Sequence, residues 1–327
     1  MSKLKSIGEL QDLIGLAIEK TSFSGQPTEL YNPVHYILSL GGKRLRPALV
    51  LMAADLYGYD LIKAMPQAIG IELFHNFTLM HDDIMDDAPL RRGMETVHEK
   101  WDANIAILSG DALFVKAYQS MVKAEPKYLP ALVDLFNQTA LEVCEGQQYD
   151  MNFETQDHVS MHAYLKMIRL KTAVLLACAL KAGALVADAS EEDQNNLYDF
   201  GIHIGLAFQL MDDLLDVYGD QKDFGKQIAG DILCNKKTCL YIKACENADE
   251  DQVKVLDHYF ANQDFDAQEK ILEVMKVYEQ LQVKSSCMVM MDEHYQLAMK
   301  HLNAVGVSEE RKSTLLQLVE TLMVRVS

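Results

Sequence analysis

The segment KTAVLLACALKAGALVA at residues 171–187 is apolar on nearly every side. A helix without a polar face belongs in the middle of a bundle, so it requires other helices around it. The rest of the chain supplies them. Leu49, Met52, Ala53 and Leu56 recur at the three-and-four spacing of a buried helix face, as do Ile105, Leu108, Ala112 and Val115, and later Leu315, Leu318 and Leu322. Alternating strand patterns bounded by turn residues do not occur. The spacing predicts helices over 3–20, 28–40, 46–58, 64–88, 98–122, 128–150, 158–183, 191–219 and 236–247, with three or four more between 249 and 325. Pro47, Pro66 and Pro130 fall where helices can begin. Without a Gly/Ser/Pro-rich linker to divide them, residues 1–327 are expected to form one all-α domain. Residues 220–236, DQKDFGKQIAGDILCNK, break the periodicity and are expected to be an irregular loop of the kind that serves as a lid.

Charge narrows the function classes. A net charge of −18, from 30 basic and 48 acidic residues, argues against a nucleic-acid binder, which needs a basic face. The opening MSKLKSIGELQDLIGLAIEK is amphipathic and charged, unlike a secretory leader, and no run has the length of a transmembrane span. Six scattered cysteines without a Cys-x-x-Cys pair suggest neither a zinc site nor a disulfide framework. A reduced, cytoplasmic protein is expected.

Two acidic clusters stand out against this background. HDDIMDD places Asp82, Asp83 and Asp86 within one helical turn, and QLMDDLLD repeats the pattern with Asp212, Asp213 and Asp216. A solvated acidic face would have polar neighbours, but here Leu79, Met80, Ile84, Met85, Leu210, Met211, Leu214 and Leu215 surround the carboxylates. Carboxylates on a mostly buried helix require cations. Oxygen donors without His or Cys suit Mg²⁺, which usually completes its shell with water and substrate phosphate. Basic residues fit an anionic substrate. Lys43, Arg44 and Arg46 follow Gly41-Gly42 and precede a helix start, Arg91-Arg92 follow the first acidic helix, Lys171 heads the apolar segment, and Lys226 and Lys236 lie in the irregular loop. A di-iron carboxylate bundle is the rival, because Glu72/His75 and Glu95/His98 each match a Glu-x-x-His element. It leaves both acidic clusters and the GGKR segment without a role.

GGKRLRP, HDDIMDDAPLRRG, GDALF, Lys171-Thr172 and GLAFQLMDDLLDVYGDQKDFGK occur in this order and spacing. The chain thereby resembles the trans-type isoprenyl diphosphate synthases, in particular short-chain members of the farnesyl and geranylgeranyl type. The resemblance implies an all-α isoprenoid-synthase bundle around a deep apolar cavity, usually a homodimer, using three Mg²⁺ ions. It makes Asp82 and Asp86 ligands of two ions with Asp83 in support, and Asp212 the ligand of a third, helped by Asp216. Arg91, Lys171, Gln209, Lys226 and Lys236 match residues that hold the allylic diphosphate, and Lys43, Arg44, His75 and Arg92 match those that hold isopentenyl diphosphate. Lys171, Thr172, Gln209 and Lys226 are the catalytic candidates. Thr172 and Gln209 either stabilise a carbocation by their dipoles or pack polar groups between helices. Cyclase relatives usually replace the second acidic motif with a mixed Asn/Ser/Glu set, and non-catalytic partner subunits typically lose one motif, whereas this chain keeps both.

Product length follows from the residues before Asp82. The resemblance makes the fourth and fifth positions before it, Thr78 and Phe77, the usual cavity floor, which implies C15 to C20 products, leaning to C20. An ideal helical wheel brings Phe74 nearer the aspartate face than Phe77, so Phe74 is an alternative floor. A medium- or long-chain synthase is the alternative product class.

Overall fold

The computed structural model describes residues 5–21, 23, 25–219, 229–261 and 265–323. The chain packs as two compact units. One comprises Met1–Gln138, Cys178–Tyr198 and Val305–Leu316; the other comprises Thr139–Ala177, Asp199–Ala304 and Gln317–Ser327. Among the described residues the only strands are a two-residue pair, so the all-α expectation holds. Among the described residues no helix is long and apolar enough to cross a membrane.

The first unit begins with α1 (Ile7–Lys20), α2 (Thr28–Ser39), α3 (Leu45–Leu56) and α4 (Leu61–Met85). Ser6 and Glu9 form a reciprocal capping box that starts α1. α3 is buried from Pro47 through Leu56, and α4 packs against α3 and α6 (Ala103–Met121). Asp60 starts α4 by accepting from the Ile62 N–H at 3.0 Å. This cap sets the start before Pro66, which therefore sits inside the helix rather than at its first turn. A hairpin, β1 (Leu90–Arg91) with β2 (Met94–Glu95), and the short α5 (Val97–Lys100) connect α4 to α6. The hairpin turn is Arg92-Gly93, with φ of 55° and 78°, a left-handed pair suited to a two-residue loop.

α7 (Leu129–Thr155), α9 (Val174–Val186), α10 (Glu191–Tyr218) and a C-terminal helix, Glu309–Met323, contribute residues to both units. The second unit also holds α8 (Met161–Ile168), α11 (Gly230–Leu233), α12 (Cys239–Asn247), α13 (Glu250–Ala261), α14 (Ala267–Gln280) and α15 (Val283–Ala304). All of α9 except Lys181 is buried, as its uniformly apolar sequence requires. The helix expected over 158–183 is interrupted by a π-helical turn, Arg169–Ala173. The loop expected over 220–236 contains the helical turn α11 within its described part, and 220–228 lie outside the described residues.

Two glycines grip the π turn. A Cβ on Gly146 of α7 would meet the Lys171 backbone nitrogen and lie 2.7 Å from the Leu170 carbonyl carbon, and one on Gly205 of α10 would lie 2.7 Å from the Ala173 Cα. Neither obstacle is the end of a flexible side chain. Gly146→Ala is therefore expected to lower unfolding free energy by about 1–3 kcal/mol through overpacking. Gly15→Ala on α1, where nothing lies within 4 Å, should instead raise it by roughly 0.5–1 kcal/mol through helix propensity. Denaturant unfolding of the two variants checks both signs.

Candidate active site

In the first unit, the acidic cluster lies at the C-terminal end of α4. Asp86 caps the helix, its N–H donating to the Asp82 carbonyl at 2.9 Å. Asp83 is 2% exposed and is held by Arg91, whose Nε donates to both carboxylate oxygens at 2.8 Å while Nη2 reaches Oδ1 at 2.5 Å. Asp82 is half-buried and Asp86 exposed. Carboxylates at a helix C-terminus oppose the macrodipole. The all-oxygen donors Asp82 and Asp86, one turn apart, therefore fit a hard divalent cation.

The GGKR segment lies in the same unit. Gly41, Gly42 and Arg44 take φ of 74°, 132° and 44° in sequence, and Arg44 becomes the N-cap of α3. Arg92 donates to the Gly41 carbonyl, and a Cβ on Gly42 would come within 2.7 Å of its guanidinium. Arg44 turns inward. It pairs with Glu72, which is 3% exposed, and donates from Nη2 to the Leu38 carbonyl at 2.6 Å. Asn76 also donates to Glu72, at 2.9 Å. Arg46 instead reaches His75, Nη1 to Nε2 at 3.3 Å, and its buried Nε has no hydrogen-bond partner. Burial first, and then Arg46, Arg92, Arg91 and Arg44, push the His75 pKa well below its ordinary value. His75 is therefore neutral, with Nε2 accepting from Arg46 and the proton on Nδ1. Arg46 and Arg92, with the paired Arg91 and Arg44 nearby, put positive charge around one neutral imidazole, a setting that suits an anion.

In the second unit, the π turn carries Lys171 and Thr172. Lys171 Nζ meets Asp150 of α7 at 2.6 Å, and Thr172 Oγ1 donates to Gln209 Oε1 at 3.3 Å. On α10, Gln209, Asp212, Asp213 and Asp216 follow the helical repeat toward its C-terminal end. Asp213 is 4% exposed and accepts from the Tyr164 hydroxyl and from the Cys239 N–H, the latter at 3.1 Å. Burial raises its pKa to about 7 despite those donors. Asp216 accepts from the Asp231 N–H at 2.9 Å and thereby fixes α11. Burial raises the Asp231 pKa, with Asp216 and Asp212 adding to the effect and Lys236 opposing it from 3.6 Å. Asp216 and Asp212 thus lie near enough to Asp231 to raise its pKa, and all three offer oxygen donors of the kind a hard cation takes.

The polyprenyl synthetase family model matches residues 27–278. The chain belongs to that family. It is 42% identical over 248 residues to the geranylgeranyl diphosphate synthase of Methanosarcina mazei, covering 75% of this chain and 76% of the relative. A short chain isoprenyl diphosphate synthase of Methanocaldococcus jannaschii is 39% identical over 261 residues, 79% and 80% of the two chains. The crystal structure of a geranylgeranyl pyrophosphate synthase matches with a TM-score of 0.94 at 45% identity, covering 99% of this chain and 100% of that one. The protein is a prenyltransferase, as its motifs imply.

Family membership sets the di-iron reading aside, and the geometry supplies the reason. Glu72 is taken by Arg44 and His75 by Arg46, so that Glu-x-x-His element is engaged with cations rather than presented to iron. Three expectations change in detail. Arg44 is an anchor for Glu72, while Arg46, two residues on, faces His75; the difference follows from the left-handed turn at Arg44, which the sequence does not reveal. Asp83, expected in support of Asp82 and Asp86, holds Arg91. Asp231 joins the second acidic group; an aspartate directly after Gly230, in a loop read only for its lysines, was the available signal. Lys43 is exposed, Lys236 is largely exposed at 63%, and Lys226 lies outside the described residues.

Removing Arg44 would leave Glu72 buried without its ion pair, with the Asn76 amide and the less direct charges of Arg46 and Arg92 beside it. Arg44→Ala is expected to cost about 3–5 kcal/mol of unfolding free energy, and Arg44→Ala with Glu72→Gln should recover part of it. Denaturant unfolding of the single and double variants measures the coupling; additive losses would show that the pair is not the anchor.

Proposed function

We propose that this prenyltransferase joins isopentenyl diphosphate to an allylic diphosphate to give a C20 prenyl diphosphate and releases diphosphate. The observation that carries this reading is the set of arginines around neutral His75 in the unit where Asp82 and Asp86 end α4: an anion site and a cation site built together. The similarity to synthases of geranylgeranyl diphosphate supports the C20 product.

The proposed roles keep the motif assignments with the changes above. Asp82, Asp86, Asp212 and Asp216 hold Mg²⁺, with Asp231 in support. When bound, the ions supply Lewis-acid stabilisation of the departing diphosphate. Arg91, fixed by Asp83, along with Lys171, Gln209, Lys226 and Lys236, contacts the allylic diphosphate. Lys43, Arg46, His75 and Arg92 hold isopentenyl diphosphate. The allylic C–O bond breaks, the isopentenyl double bond attacks the allylic carbon, and the diphosphate oxygen takes the proton lost from the new chain. No protein base is needed. A neutral His75 suits this role because it donates a hydrogen bond without adding a fifth positive charge among the arginines. The Thr172–Gln209 contact leaves their dipoles able to stabilise a cation, or to join the two helices.

Product length is proposed to depend on an aromatic pair. Phe77 stacks on Phe114 of α6, with centroids 4.9 Å apart and planes at 19°, and both rings are half-buried. Phe74 is fully buried among Phe77, Phe114 and Phe136, so it is core. Thr78 donates to the His75 carbonyl at 2.8 Å and leaves little reach for other contacts. A homodimer is proposed from Leu108, Val115 and Val122, which recur every seven residues along α6 and its C-cap and are 59%, 55% and 43% exposed. Six free cysteines fit a cytoplasmic setting.

Incubation with Mg²⁺, isopentenyl diphosphate and each allylic starter, with products sized by chromatography, tests the reaction. Asp82→Ala and Asp212→Ala should lose turnover while retaining their helical signal; near-normal turnover in either, at saturating Mg²⁺, would remove the metal assignment. Phe77→Ala or Phe114→Ala should lengthen the product by at least one five-carbon unit. Phe74→Ala should instead cost about 3–5 kcal/mol of stability. A parent product of C30 or longer, or unchanged length in both Phe77→Ala and Phe114→Ala, contradicts the proposal.

A further inference from the structure

The hairpin that carries Arg91 and Arg92 brings together three side chains outside the assignments above. Its register pairs Leu90 with Glu95 and Arg91 with Met94, and the Thr96 N–H donates to the Pro89 carbonyl at 3.1 Å. Continuing that register sets Asp87 opposite His98. Glu99 follows on α5. One donor atom from each of Asp87, His98 and Glu99 lies within 4.8 Å of the others.

His98 needs a partner. Its side chain is only 9% exposed, and both ring nitrogens are buried without a hydrogen-bond partner. Its Nε2 lies 3.7 Å from Glu99 Oε1, too far for a hydrogen bond. A buried imidazole with both nitrogens unsatisfied is costly, and two carboxylates beside it supply the opposite half of a cation site.

We propose that Asp87, His98 and Glu99 bind a divalent transition metal of the zinc class, which closes the base of the hairpin that presents Arg91 and Arg92. The donor set is one imidazole and two carboxylates. Imidazole favours zinc-class ions over Mg²⁺, which selects oxygen. Zinc bonds of about 2.0–2.2 Å place tetrahedral donors roughly 3.4 Å apart. The spacing here contracts to that through rotation of Asp87 and Glu99, both exposed side chains, around the buried imidazole. The site is distinct from Asp82 and Asp86 in donor chemistry. It uses the Glu-x-x-His segment at 95–98 in a different way from a di-iron bundle, with Glu99 rather than Glu95 beside His98.

Equilibrium dialysis of the full chain against Zn²⁺ in a large excess of Mg²⁺, with bound zinc measured by atomic absorption, tests this. About one Zn²⁺ per chain is expected, at a single tetrahedral-type site. Asp82→Asn should leave that binding unchanged. His98→Ala and Glu99→Gln should each weaken it at least tenfold, the loss that removing even an outer partner of a metal site brings. Glu99 is half-exposed, so Glu99→Gln gives an answer even if His98→Ala fails to fold. Three results would overturn the proposal: no zinc retained above Mg²⁺ competition, zinc lost in Asp82→Asn, or zinc retained equally in His98→Ala and Glu99→Gln.

Discussion

Aspartates at the C-terminal ends of two long helices are the constraint on which the rest of the structure depends. α4 ends on Asp82, Asp83 and Asp86, and α10 nears its end on Asp212, Asp213 and Asp216. The carbonyl-rich end of a helix is already negative, and each added carboxylate there is unfavourable by roughly 0.3–1 kcal/mol at an exposed position. The protein answers this charge partly from within. Arg91 engages Asp83 with a forked guanidinium, a tyrosine and a backbone N–H engage Asp213, and the start of α11 donates to Asp216. Asp82, Asp86 and Asp212 are the members of the two motifs proposed to meet divalent cations.

The interior aspartate of each motif thus has a different task from its neighbours. Asp83 and Asp213 are buried, and each orients a neighbouring group: Arg91 in the first case, Tyr164 in the second. The same division appears among the basic residues. Arg44 neutralises buried Glu72, whereas Arg46, two residues later, faces His75. Pairs that hold the scaffold and groups available to a substrate alternate along the chain, often at adjacent positions.

That alternation explains what was legible in the sequence. The helices followed from apolar spacing, since burial of one face leaves a repeat that any reader can count; α9 and α3 are the plainest cases. The acidic motifs were legible because three carboxylates within one turn among apolar neighbours are an uncommon pattern. The choice between Arg44 and Arg46 was not, because it depends on a left-handed backbone at Arg44 and on a buried partner 28 positions away. The π turn at Lys171 left no local sign either. It is accommodated by Gly146 and Gly205, which are remote in sequence and become informative only when they pack against it. The hairpin at 90–95 is too short for a strand pattern, and only Arg92-Gly93 marked its turn.

The central proposal is that the aspartates of α4, and those of α10, each meet diphosphate through divalent cations. Calorimetric titration of the full chain with inorganic diphosphate, with and without Mg²⁺, measures this most directly. The account predicts tight binding only when Mg²⁺ is present, weakened at least tenfold by either Asp82→Asn or Asp212→Asn. Equal diphosphate affinity without Mg²⁺, unchanged in both variants, would contradict it.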